Sequence, residues 1–461
     1  MASNTQTNMP PDLLNGDTAQ TLRKMTTPMI LGMIVMMTFG LVDTFFIGML
    51  GTQELAAISF TFPVTFTVIS LNIGLGIGTS AVIAKLLGAG NSEQAKETAT
   101  GTLMLTMLLA IALAIVGVFT IEPIFTLMGA DKSLLSFIRE YMVVWYGAGV
   151  FLAMPMVGNS VLRAAGDTKT PSYVMATGGV INVILDPILI FGWRPIPGLG
   201  IQGAAIATLI AWALGLLYIL YVLAVKRQLI ETRLLNWTEL KRSTGGVLKI
   251  GLPAAGANML TPISTGVVTA IIAGYGSSAV AAWGVGGRLE SIACIVVLSL
   301  SMSLPPFISQ NFGANKLDRV WGAFSVCVKF VIVWQILIFI FMALLSSVIS
   351  DVFTNEPEVA KIIIMFLLIV PLGYGFQGVT ILTNSSFNAM HMPMSALSLN
   401  IMRLFVFIVP FSYLGSVYFD VIGLFGAAVI ANVIVGCIAF LWFKKVLNAH
   451  LAMKDIGKAT T

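Results

Sequence analysis

The chain has 461 residues, 57% of them apolar and only 10% charged. A soluble domain carries about 25% charged residues, so this sequence lacks the polar side chains to cover a water-facing surface and reads as a polytopic membrane protein. The net charge of +5 then reports membrane topology rather than a nucleic-acid partner, and continuous apolar runs exclude a β-barrel, whose strands alternate over about 10 residues.

Residues 1–24 are polar, place Asp12 and Asp17 ahead of Arg23 and Lys24, and lack the basic-then-apolar order of a cleaved signal. They are expected to form a cytoplasmic tail, and the first apolar segment is expected to stay in the mature protein. Breaking the apolar runs at charges and at Gly/Pro clusters predicts spans over 28–50, 60–87, 98–120, 136–162, 171–193 and 200–225. A polar linker, 226–249, leads to a second set over 250–274, 283–311, 322–350, 362–387, 393–414 and 420–443, with a tail over 446–461. Each run supplies the roughly 20 residues that a bilayer requires. The expected fold is therefore all-α, with twelve transmembrane helices in an N-lobe over 25–225 and a C-lobe over 250–445. Of the 25 Lys and Arg, nineteen fall on one side of this map, five on the other and Arg403 inside the eleventh span. Such a bias predicts that both termini are cytoplasmic.

A fixed shift of 225 residues relates the two halves: Pro28 maps to Pro253, Gly51 to Gly276, Gly88-Ala89 to Gly313-Ala314 and Asn159-Ser160 to Asn384-Ser385. Further on the shift becomes 223, taking Pro187 to Pro410 and Gly203-Ala204-Ala205 to Gly426-Ala427-Ala428. Six spans per repeat is an even number, so the halves insert in the same orientation. Parallel repeats of this kind characterise alternating-access transporters.

Residues that break the repeat are candidates for function. Asp43 in the first span corresponds to Val268, Asp186 in the fifth to Val409, and Asn182 to Phe405. Pro28 and Pro171 each precede their aspartate by 15 residues, which sets both carboxyls at one level, roughly 22 Å along their helices. Asn182 and Asp186, at i and i+4, share a helix face. Intramembrane acids nearly always face a cavity or a partner, and two partly desolvated carboxyls close together tend to share a proton. A purely structural role, capping a broken helix or bonding to Asn182 and a threonine, is the competing reading.

With these residues in view the chain resembles the MATE (multidrug and toxic-compound extrusion) family, in its DinF-like branch. The resemblance rests on Val42-Asp43-Thr44-Phe45-Phe46-Ile47-Gly48 with Gly51, on Arg163-Ala164-Ala165-Gly166-Asp167-Thr168-Lys169-Thr170-Pro171, and on Asn182-Val183-Ile184-Leu185-Asp186-Pro187. It covers essentially the whole chain. It implies a monomeric secondary transporter of the bacterial inner membrane, without a resident cofactor, that exports cationic and amphipathic drugs against protons or sodium. It further implies a cation site at Asp43, Asn182 and Asp186, with Tyr141 and Asn159 on the fourth span nearby, and bending of the first span near Pro28. The tenth span carries no acid, a departure from the sodium-coupled pattern, so a proton is the expected coupling ion and sodium the alternative.

The remaining features are read more plainly. Cys294, Cys327 and Cys437 lie apart in apolar segments, and His391 and His450 are 59 positions apart, so neither disulfide, zinc nor haem chemistry is expected. The absence of a Gly-x-x-x-x-Gly-Lys-Ser/Thr loop argues against an ATP-driven pump. A major-facilitator carrier would show a basic, aspartate-containing loop after the second span. A lipid-linked oligosaccharide flippase would line its cavity with several Arg or Lys, where only Arg403 qualifies. A membrane-embedded enzyme would need a convergent acid/base, metal or nucleophile set beyond the two aspartates. Glu290 with Arg288 is expected to form an interfacial ion pair, Arg403 to snorkel or serve structure, and Asp167 with Lys169 to shape a loop.

Overall fold

In lipid every backbone N–H and C=O must be satisfied within the segment, which for long apolar runs means helix. The computed structural model describes residues 12–193 and 197–459, with the side chains of 41, 43, 44, 48, 52–56, 133 and 454–459 outside the described set. Among the described residues ten helices are long and apolar enough to cross a membrane, and the pair Leu134–Gly147 and Gly149–Ala164, bent by 47°, makes an eleventh span. The 61-residue run Pro393–Met453 leaves helical geometry at Phe419 and Asp420. Dividing it there completes the twelve.

The chain forms two compact units, one containing Thr27–Ala255 and the other combining Leu13–Thr26 with Gly256–Thr461. The first span, Thr18–Gly48, starts earlier than its hydropathy predicts. Asp17 Oδ1 accepts from the Gln20 N–H at 2.8 Å, an N-cap bond. The following turn buries Leu22 and Met25 in the core of the second unit while Arg23 and Lys24 stay exposed. Arg319 and Lys316 bind backbone carbonyls of Gly16 and Leu14 at 2.6 and 3.1 Å, so residues 13–17 are held rather than trailing. The helix passes from one unit to the other immediately before Pro28.

Within the first unit the second span, Thr52–Gly88, and the seventh, Trp237–Ala273, approach through small residues. A Cβ at Gly74 would meet Gly251 O, and one at Gly78 would meet Val247 O. Close backbone approach of this kind is how membrane helices gain contact without a hydrophobic driving force between them. Gly78→Val is expected to cost about 1–3 kcal/mol through overpacking, read as a lowered melting temperature of the purified protein; an unchanged value would mean that the seventh span gives way freely.

The loop before the fifth span, Lys169–Phe191, is organised by Asp167, which is 4% exposed. Its carboxylate accepts from Thr170 N–H at 3.0 Å, Thr170 hydroxyl at 2.9 Å and Arg227 at 2.7 Å. This caps the helix and pins the start of the linker to the same unit. Asp167→Ala removes the bonds to Thr170 and leaves Arg227, which is 30% exposed and can turn to water, so it is expected to destabilise the protein by about 1–2 kcal/mol. Thermal unfolding with Asp167→Ala, Arg227→Ala and the double variant measures the coupling; strictly additive losses would contradict it.

The duplication is visible in backbone geometry. Gly90 (φ 82°) and Asn315 (φ 56°) turn the chain left-handed 225 positions apart, as do Gly166 (φ 85°) and His391 (φ 62°). The bend at Ala148 in the fourth span is matched in the tenth by the 3-10 turn Val370–Gly373. The halves differ elsewhere. The eighth span breaks at Cys294 into Ser277–Ala293 and Ile295–Gly313, whereas the second is continuous. The eleventh carries a π-helical segment, Met402–Ile408, where the fifth is regular.

Candidate functional site

The carboxylate cluster of the first unit is built on the fifth and sixth spans, Lys169–Phe191 and Ile201–Tyr221. Asp186 is fully buried and Asn182, one turn earlier, is 1% exposed. Asn182 bonds Thr208 Oγ1 of the sixth span at 2.9 Å. Its amide satisfies both neighbours when the nitrogen faces Asp186, donating to Oδ2 at 2.6 Å and Oδ1 at 3.0 Å. Its oxygen then accepts from the Thr208 hydroxyl at 2.9 Å and N–H at 3.2 Å. A buried carboxylate thus receives two charge-assisted bonds from one amide.

The first span lies against the fifth. Ser172 Oγ reaches Met29 Sδ at 3.4 Å, a Cβ at Gly32 would meet Ser172 Cα at 3.2 Å, and one at Gly179 would meet Val35 Cγ1 at 3.3 Å. These contacts run parallel along the two helices, and Asp43 lies two turns beyond Val35. The Asp43 side chain itself lies outside the described residues.

Tyr141 is half-buried in the aromatic cluster around Trp145 and Tyr146. Asn159 is buried with its Oδ1 unpartnered. It stands five residues before the end of Gly149–Ala164, the end that leads into the start of Lys169–Phe191, whereas Asp186 lies 17 residues beyond that start. None of the hydrogen bonds described joins Asn159 to Asn182 or Asp186. A cavity of about 160 Å³ in the same unit, walled by Asn72, Leu75, Trp145, Tyr146, Leu248 and Leu252 among others, does not include Asp186.

The C-lobe departs from expectation. Arg288 is exposed and forms no ion pair with Glu290 among the described residues. Glu290 Oε1 instead accepts from Gln377 Nε2 at 2.8 Å. Arg403 does not snorkel to an end of its span: its Nε donates to Asn432 Oδ1 at 3.2 Å. Tyr374 hydroxyl and Gln335 Oε1, both buried, have no partner. Charged and polar groups therefore meet inside the C-lobe, a feature that sequence reasoning passed over. Gln377, Arg403 and Asn432 replace Leu152, Val180 and Leu209 of the first half, a signal that was available.

Twelve spans in two repeated units, with buried ionisable groups and no convergent reaction centre among the described residues, define a secondary transporter. Comparison with known proteins gives the family. The MatE family profile matches residues 28–188 and again 253–414, starting at the two prolines that the 225-residue shift relates, and the chain belongs to the MATE family of membrane transporters. It is not an enzyme. It is 41% identical over 424 residues to a Shewanella oneidensis protein named FAD transporter, covering 92% of this chain and 94% of that one. It is 26% identical over 361 residues to multidrug export protein MepA of Staphylococcus saprophyticus, covering 77% and 79%. The crystal structure of the Vibrio cholerae MATE transporter VcmN in its bent form superposes with a TM-score of 0.89 at 35% identity, covering 94% of this chain and 98% of that one.

Proposed function

We propose that the chain is a proton-coupled antiporter of the bacterial inner membrane, with both termini in the cytoplasm, that exports cationic or amphipathic organic compounds by alternating access and couples at Asp43, Asn182 and Asp186. The observation that carries this reading is the fully buried Asp186 with Asn182 as its donor, at positions where the second half has Val409 and Phe405. An acid that the fold does not require, sealed from water and held by a neutral amide, is suited to exchange a proton. The tenth span carries no acid, which favours the proton over sodium. Tyr141 and Asn159 complete the proposed site, and the segregation of basic residues supports the orientation.

Everted vesicles loaded by an imposed pH gradient, with and without sodium, test the coupling. Export that persists without sodium supports the proton, and export driven only by sodium overturns it. A second substrate reading, an anionic flavin dinucleotide, is favoured by the 41% identity to a protein named FAD transporter. Uptake of FAD against uptake of a cationic dye in the same vesicles separates the two.

A further inference from the structure

We infer that the C-lobe holds a second binding site, in which the Arg403 guanidinium takes the anionic group, a phosphate or a carboxylate, of the transported solute. The inference rests on the family and on C-lobe geometry, and is independent of which ion couples at Asp186.

The first argument is the repeat. Glu290, Gln377, Arg403 and Asn432 stand where the first half has Thr65, Leu152, Val180 and Leu209. The scaffold is therefore complete without them, as the second half is complete without counterparts of Asp43 and Asp186. Depth is the second. Arg403 lies ten residues into a span that begins at Pro393, roughly 15 Å along the helix, and Glu290 lies 13 residues beyond Ser277, roughly 20 Å from the opposite end. Both are near the middle of a hydrocarbon core about 30 Å thick, too deep for a lipid headgroup. A charged Arg at that depth is costly to insert and marks a functional group by default.

Geometry decides what it holds. Arg403 stands in the π-helical segment Met402–Ile408, a deviation that recurs at functional sites. It donates only through Nε, to the neutral Asn432, and among the described residues no carboxylate lies within ion-pair distance of it. Asn432 fixes the plane of the guanidinium and leaves its two terminal nitrogens with unused donors. A fork of this kind matches two oxygens of one phosphate or carboxylate, and repels a cation. Glu290, the carboxylate of the same lobe at similar depth, is tied to Gln377, and its negative charge in a low-dielectric interior opposes a second anion. In the same lobe the Tyr374 hydroxyl and Gln335 Oε1, whose amide nitrogen donates to Ala293 O, are unpartnered among the described residues, and buried groups of this kind are normally satisfied by water or ligand.

The test is calorimetric titration of inorganic pyrophosphate into the full-length protein, in nanodiscs of phosphatidylcholine alone, against chloride at matched ionic strength. Wild type is expected to bind, and Arg403→Gln to weaken binding by about tenfold to a hundredfold, as loss of a charge-assisted bond implies. Arg403→Lys, which keeps charge and loses the fork, is expected to fall between them. Glu290→Gln is expected to tighten binding, and Arg288→Gln, on the exposed face of the same span, to leave it unchanged. No binding by wild type, or equal affinity in wild type and Arg403→Gln, overturns the inference. So does a loss in Arg288→Gln as large as in Arg403→Gln, which would mark general attraction to positive charge. If Arg403→Gln does not fold, Arg403→Lys and Glu290→Gln decide: wild-type affinity in both overturns it.

Discussion

Asp186→Asn is expected to reduce gradient-driven export on the order of a hundredfold, the upper range of site-to-site coupling, while the protein reaches the membrane in normal amount. Asparagine matches aspartate in size and still offers an oxygen to the Asn182 nitrogen that otherwise donates at 2.6 and 3.0 Å. The packing around this fully buried position therefore survives. What disappears is the ability to take up and release a proton. Asp43→Asn is expected to behave alike, whereas a substitution at Val409, the repeat counterpart of Asp186, is expected to leave coupling intact. Cellular resistance, vesicle export and surface abundance measured together distinguish lost coupling from lost protein. Full resistance in both asparagine variants would falsify the assignment of coupling to the N-lobe acids.

Most of the fold was legible because the bilayer dictates it. Hydrocarbon thickness imposes runs of about 20 residues, and duplication repeats several turns, among them the left-handed positions at Gly166 and His391. The first span was misjudged at its start because Arg23 and Lys24 make residues 18–27 look soluble. They are the outer face of a helix whose inner face, Leu22 and Met25, is buried. The break at Cys294 and the π segment at Met402–Ile408 left no such trace. Neither segment contains a proline or a glycine to mark it, and apolar residues there fit regular helix equally well.

The N-lobe cluster was half legible. Asn182 and Asp186 are one turn apart and share a face by geometry alone, but Thr208 comes from another span and resembles any other threonine in an apolar helix. In the C-lobe, Arg288 was paired with Glu290 because it is the nearest opposite charge in sequence. Residues at i and i+2 on a helix point away from each other, and Glu290 finds Gln377 on the tenth span instead. The asymmetry of the repeat runs both ways: Asp43 and Asp186 face apolar counterparts in the second half, and Gln377, Arg403 and Asn432 face apolar counterparts in the first.

Binding of a cationic solute is expected to weaken as pH falls through the titration of the N-lobe acids, and Asp186→Asn to flatten that dependence. When Asp43 and Asp186 are ionised, their mutual repulsion favours a hydrated pocket and their charge attracts a cation. When one takes a proton, both effects diminish, so proton and solute exclude each other at one place. That exclusion is sufficient for antiport without a link between distant sites. In the proposed mechanism the first span is the moving part. Pro28 lacks the N–H that would close the preceding turn and stands where the helix leaves one compact unit for the other. Beyond it, Gly32 lies tight against Ser172, while Gly40 has nothing within 4 Å of a built Cβ, leaving room for the upper helix to bend. Pro28→Ala restores a regular backbone hydrogen bond and is expected to slow transport while leaving solute affinity at high pH intact. Fluorescence titration of a cationic dye at about pH 5 and about pH 8 measures both effects. Equal affinity at the two pH values in wild type, with no change in Asp186→Asn, would place the solute elsewhere and remove direct competition as the mechanism.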